Sequence, residues 1–204
     1  MDNQRAETEN KIIEAAMKVF TKKGYKGATM RDIAAEAEIN LAMLNYYFRS
    51  KDNLFDIIFE RAFKQIYGKL FEVLANNSSI FDKIRGLVNE IIEILLNNPE
   101  LASLIFAEVS INPERLSDKF KGNSEVEKIF NRFQKQIDKE VKLGIMKPIS
   151  FMELYMNIDA LCVFPFLAKP MFTGIFNLSE MNYGGLMERR KSTIADFIIA
   201  GLQA

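Results

Sequence analysis

Apolar residues recur three and four positions apart along nearly the whole chain, beginning with Ile12, Ala16, Val19 and Phe20. Sustained apolar–polar alternation bounded by turn formers is not evident, so the pattern predicts an all-α protein. Gly24 is placed to cap the first helix in a left-handed conformation. Thr29 followed by Asp32 makes a capping box that opens a short second helix ending near Ala37. Asn40 N-caps a third helix reaching about Phe48. Ser50, with Asp52 in the next turn, opens a fourth, whose apolar positions Leu54, Ile58, Ala62, Ile66, Leu70 and Leu74 carry it to the NNSS break at 76–79.

Further starts follow at Ser79 with Asp82, Asn98 before Pro99, Asn112 before Pro113, Ser124 with Glu127, and Ser150 with Glu153. Pro165 should bend or end the helix begun at Ser150, because proline lacks a backbone donor and clashes with the previous turn. A last helix is expected over about 183–202. Three short helices before one long one mark a seam near residue 50, giving an N-terminal domain over 1–52 and a larger helical domain over 53–204.

The 204 residues, 49% hydrophobic and 26% charged, suffice for one good core or two small ones. The N-terminus is polar and acidic, and no apolar run approaches the ~18 residues of a membrane span, so a cytoplasmic protein without membrane association is expected. Histidine is absent and Cys162, in the apolar run LCVFPF, is the single cysteine. Histidine-based hydrolytic triads and most zinc chemistry are thereby excluded. No glycine-rich phosphate loop occurs, and Glu90 and Glu93 read as helix-surface charge, so neither enzyme nor cofactor is expected. From Lys11 to Lys51 there are eight Lys or Arg against four Asp or Glu, in a chain whose formal net charge is zero. Extending that window to Met1 halves the excess, which leaves weak support for an anionic partner.

The second and third helices are joined only by Glu38 to Asn40, the spacing of a helix-turn-helix. Leu44 and Phe48, four apart, should face inward with Ile33 and Ala34. Leu41, Met43, Asn45, Tyr46 and Tyr47 are then partly outward, a poor choice for solubility without a partner. Tyrosine hydroxyls can donate to phosphates, and Leu or Met can touch thymine methyls. Lys51 falls in the first turn of the next helix, where unpaired N–H groups already favour an anion.

The stretch AAMKVFTKKGYKGATMRDIAAEAEINLAMLNYYFRSKDNLFDIIF resembles the N-terminal DNA-binding domain of TetR-type transcriptional regulators. The matching positions are Phe20, Gly24, Tyr25, Thr29, Ile33, Ala34, Tyr46, Tyr47, Phe48, Ser50, Lys51 and Leu54. The resemblance implies a homodimeric repressor, each subunit placing its third helix in the major groove of a palindromic double-stranded operator. It assigns phosphate contacts to Thr29, Tyr46, Tyr47 and Lys51 and base contacts to Arg31, Leu41, Ala42, Met43 and Asn45, with Asn40 among the DNA-facing residues. Glu38 stands where the family often has Gly, and a left-handed conformation there would cost ~1 kcal/mol.

The resemblance further implies that the C-terminal domain binds a small effector and dimerises through its last two helices. Phe and Met are dense beyond residue 80, and Phe106, Phe130, Phe133, Met152, Met156 and Phe164 are candidates for an adaptable apolar pocket. Asn157 and Asp159 interrupt the apolar stretch LYMNIDALCVF and would need polar partners if buried, which a ligand amine or hydroxyl could supply. Phe166, Leu186, Ile194, Phe197 and Ile198 are the dimerisation candidates. The expected mechanism is a switch in which a mainly hydrophobic ligand shifts the fourth helix and moves two reading heads set ~34 Å apart. The alternative is a C-terminal domain that binds a protein partner.

Overall fold

The computed structural model describes residues 2–204, which form eleven α-helices and no named strand. These are α1 (Asp2–Gly27), α2 (Met30–Glu36), α3 (Leu41–Phe48), α4 (Lys51–Ala75), α5 (Ile80–Asn97), α6 (Glu100–Ile111), α7 (Pro113–Phe120), α8 (Ser124–Lys142), α9 (Phe151–Leu167), α10 (Lys169–Phe176) and α11 (Glu180–Leu202). The all-α expectation holds. Among the described residues no single helix is long and apolar enough to cross a membrane. The chain forms two compact units, one running up to Lys64 and including Ser103–Pro113, the other comprising Gln65–Ala102 and Glu114–Ala204.

In the first unit α1 packs on α2 and α2 on α3. Their core is the inward stripe of each helix: Ile12, Ala16 and Phe20, then Ile33 and Ala34, then Leu44 and Phe48, joined by Leu54 and Ile58. The rings of Phe20, Tyr25 and Phe55 meet one another at 4.8–5.8 Å between centroids. Gly24 interrupts the first helix as expected, but not in a left-handed conformation. Its φ of 69° is positive, as a glycine permits, but its ψ of 164° is extended, and the chain resumes helical turns to Gly27. The first helical segment therefore ends at Gly24, and a second short one follows across a kink. Glu38 does adopt the positive φ foreseen for the turn, at 54°.

In the second unit α5 packs against α9 and α11, with α8 and α10 also on α9. α5 buries Ile80, Ile84, Leu87, Val88, Ile91 and Leu95, the wide stripe of a helix covered by several neighbours. Gly86 lets α5 approach α4, since a Cβ there would come within 2.9 Å of Val73 Cγ1. Lys83, on the same buried side and only 1% exposed, donates to the carbonyl of Leu74 and to Gln136 Oε1, each at 2.9 Å. It thus pairs one of the orphan carbonyls that end α4, while burial lowers its pKa.

Pro165 lies inside α9, which ends two residues later at Leu167. Its missing N–H would have bonded to the carbonyl of Leu161, and Arg190 Nη2 donates to that oxygen instead at 2.8 Å. Tyr183 Oη donates to the carbonyl of Pro165 at 2.5 Å, so two side chains of α11 satisfy the weakened end of α9. α11 begins at Glu180 behind an N-cap at Ser179, slightly earlier than expected. α10 is a further helix that the apolar pattern did not separate from α9.

Candidate DNA-reading face and effector cavity

α2 and α3 each start on a side-chain cap. Thr29 Oγ1 accepts from the backbone N–H of Asp32 at 3.1 Å, and an Asp32 carboxylate oxygen accepts from the backbone N–H of Thr29 at 3.0 Å. Lys23 donates to Asp32 at 2.7 Å, and this bond, with those from Thr29, lowers the Asp32 pKa to about 2. Asn40 Oδ1 accepts from the N–H of Met43 at 2.7 Å. These caps fix where α3 begins, and hence which side chains point out.

Leu44 and Phe48 are buried, as their spacing from Ile33 and Ala34 requires. The outward face carries Ala42, Asn45 and Met43, with Tyr46 at 74% exposure. Leu41 and Tyr47 are half-buried. The Tyr46 and Tyr47 rings meet edge to face at 5.4 Å, which holds the two hydroxyl-bearing rings in a fixed relation. Arg31 and Thr29 are exposed at the start of α2, though the Thr29 hydroxyl is already spent on its cap.

Lys51 is half-buried. Its ammonium donates to the carbonyls of Tyr25 at 2.9 Å and Ala28 at 3.0 Å and lies 4.4 Å from the centroid of the Tyr25 ring. The Tyr25 hydroxyl in turn bonds Asp52. Two of the three ammonium donors therefore tie α4 to the end of α1, leaving at most one for a phosphate.

The second unit contains a cavity of about 340 Å³. α4 supplies Tyr67, Leu70, Phe71 and Leu74, α7 supplies Phe120, α8 supplies Phe130, and α9 supplies Phe151, Met152, Tyr155 and Met156. Of the sequence candidates, Phe130, Met152 and Met156 line it. Phe133 is fully buried behind Phe151, with ring centroids 5.4 Å apart, and belongs to the core. Phe106 falls in the first unit and is 61% exposed. Phe164 is exposed and packs its ring edge against Phe172. Asn157 is exposed and needs no buried partner, whereas Asp159 is half-buried one turn beyond Tyr155.

Sequence reasoning missed Tyr67, Phe71, Phe120 and Tyr155. The run Tyr67, Leu70, Phe71, Leu74 has the i, i+3, i+4, i+7 spacing of a helix face, of which only Leu70 and Leu74 stand among the expected apolar positions of the fourth helix. Burial raises the Tyr67 hydroxyl to about 12 and raises the Tyr155 hydroxyl as well. Burial also raises the Asp159 carboxyl and pushes the Cys162 thiol up to about 12. Cys162 is thus an inert, buried side chain.

Among the dimerisation candidates, Phe166, Ile194 and Ile198 are buried by the chain's own helices. Leu186 is half-buried and Phe197 is 70% exposed, so these two retain area for a partner. Ile175, Phe176 and Met181 add exposed apolar surface on and after α10.

A capped helix-turn-helix followed by a larger helical unit with an apolar cavity defines the class of helix-turn-helix regulatory proteins. The sequence pattern of bacterial regulatory proteins of the tetR family matches residues 12–58, and that of the tetracyclin repressor-like C-terminal domain matches residues 81–198. The chain belongs to the tetR family. It is 32% identical over 111 residues to the probable HTH-type transcriptional regulator YttP of Bacillus subtilis, a match covering 53% of each chain. Such a match spans about half the length of that relative. The biofilm operon icaADBC HTH-type negative transcriptional regulator IcaR of Staphylococcus aureus is 27% identical over 191 residues, 92% of each chain. A TetR family transcription regulator from Marinobacter aquaeolei shares the fold with a TM-score of 0.65 at 16% identity, covering 100% of this chain and 99% of that one.

Proposed function

We propose that this protein is a homodimeric, DNA-binding transcriptional repressor, released from a palindromic operator by a small, mainly hydrophobic ligand held in the cavity of the second unit. The outward face of α3 carries the reading: Met43 and Tyr46 stand exposed on an eight-residue helix whose opposite side is anchored by Leu44 and Phe48. In a major groove, Met43 and Leu41 would touch thymine methyls, Asn45 and Arg31 would address base edges, and Tyr46 and Tyr47 would donate to phosphates. Thr29 and Lys51 act chiefly by holding α2 and α4, with the one remaining Lys51 N–H directed to a phosphate. IcaR, described as a negative regulator, supports repression as the sign of the response.

A ligand in the cavity would press on Tyr67 and Phe71, which lie on α4, the helix that directly follows α3 in the chain. It would shift the DNA-binding equilibrium by its differential affinity for the two states of that helix. The cavity beside Met156 favours this effector reading over a C-terminal domain that serves only a protein partner.

The test is selection of bound sequences from random duplex DNA with the purified chain, followed by binding at several salt concentrations. A two-fold symmetric site with steep salt dependence is the expected result. Recovery of no enriched site, with weak binding alone, would overturn the assignment of α3 as a reader.

A further inference from the structure

The cavity walls are hydrocarbon and aromatic ring, with tyrosine hydroxyls as the polar side-chain groups of the lining. On α9 the lining positions Met152, Tyr155 and Met156 stand seven, four and three residues before Asp159, so all four share one helix face. Tyr67 and Tyr155 line the cavity, and both feel the charge of Asp159. Among the described residues Asp159 forms no ion pair and accepts no hydrogen bond. The guanidinium of Arg190, the cation that acts on neighbouring Cys162, is directed to the carbonyl of Leu161. A half-buried carboxylate keeps only part of its hydration, and a cationic donor brought by a ligand would add charge pairing there.

Resting on the effector reading above, we propose that the cavity selects hydrophobic amines: molecules with an apolar body and one protonated nitrogen that pairs with Asp159 beside Tyr67 and Tyr155. An anion would be repelled by Asp159, and an alcohol would gain a hydrogen bond but no charge pairing. The surrounding rings, Phe71, Phe130 and Phe151 with the two tyrosines, add favourable faces for a cation that leaves water.

The experiment uses the full chain with N-phenyl-1-naphthylamine as a neutral fluorescent tracer, competed at pH 7 by decylammonium, decanol and decanoate below their micellar concentrations. Decylammonium is expected to displace the tracer at about tenfold lower concentration than decanol, with decanoate weakest. In Asp159→Asn the gap between amine and alcohol should close to within about twofold. Equal competition by decanol or decanoate in the wild-type protein overturns the amine preference, as does a gap that survives in Asp159→Asn. The wild-type comparison stands even if the variant fails to fold. Failure of the tracer and all three competitors to bind overturns the effector cavity itself, an outcome distinct from loss of the charge preference alone.

Discussion

Lys51 places its ammonium 4.4 Å from the centroid of the Tyr25 ring while donating to the carbonyl of the same residue at 2.9 Å. One side chain thus closes the end of α1 onto the start of α4. Lys51→Ala should lower the stability of the first unit by about 1–2 kcal/mol, from lost charged hydrogen bonds and the ring contact at a half-exposed site. Urea denaturation checks this, and an unchanged midpoint would mean that the lysine is free in solution. Lys51→Arg should recover only part of the loss, because a planar guanidinium does not fit two converging carbonyls.

The capping box of α2 should be acid-sensitive. The folded pKa of Asp32, about 2, lies below its ordinary 3.8 because Lys23, then Thr29, bond the ionised form. A depressed carboxylate pKa stabilises the fold above the unfolded value, and that contribution fades as pH falls from 3.8 through 2. An NMR titration of the Asp32 carboxyl should show a midpoint near 2, moving toward 3.8 in Lys23→Ala. A wild-type midpoint at 3.8 would remove the cap from the solution structure.

Leu44 and Tyr46, two residues apart on α3, should separate folding from recognition. Leu44 is fully buried, so Leu44→Ala should cost about 2–5 kcal/mol in stability. Tyr46→Ala, at a 74% exposed site, should change stability by less than about 0.5 kcal/mol. It should nevertheless weaken operator binding about five- to tenfold through a lost phosphate contact. Melting curves and a duplex titration on both variants check the pair; a strongly destabilised Tyr46→Ala would place that ring in the core.

α11 offers a second such pair. Ile198 is 7% exposed and Phe197 is 70% exposed, so the two neighbours face opposite environments. Phe197→Asp should leave the helical circular dichroism unchanged while shifting sedimentation from dimer toward monomer. Ile198→Asp should unfold the second unit, because an isolated carboxylate would be forced into its core. A Phe197→Asp protein that sediments as wild type would move the dimer face elsewhere.

The helix boundaries were largely legible because caps and apolar spacing are local. Thr29 with Asp32, Asn40, Ser79, Asn123 and Ser150 all hold helix N-termini through their side chains, and of these only Asn123 differs from the expected cap, by one residue from Ser124. Gly24 interrupts the first helix at a positive φ, as the sequence leads one to expect, while its extended ψ of 164° differs from the left-handed cap. α10 escaped notice because its apolar residues are exposed, and a hydrophobic pattern alone does not distinguish an exposed stripe from a buried one.

By itself the sequence determined the all-α class, the helix-turn-helix spacing and the inward role of Leu44 and Phe48, all set by periodicity and capping over a few turns of chain, and it carried the residues on which the family resemblance rests. Only the tertiary structure decided which large side chains surround a cavity and which fill a core. That choice separated Phe130 and Met156 from Phe133, and Phe197 from Ile198. It also turned Lys51 inward, to carbonyls 23 and 26 residues away. The physical reason is that burial and charge pairing depend on which distant elements meet, whereas caps and helical faces depend on neighbours in the chain.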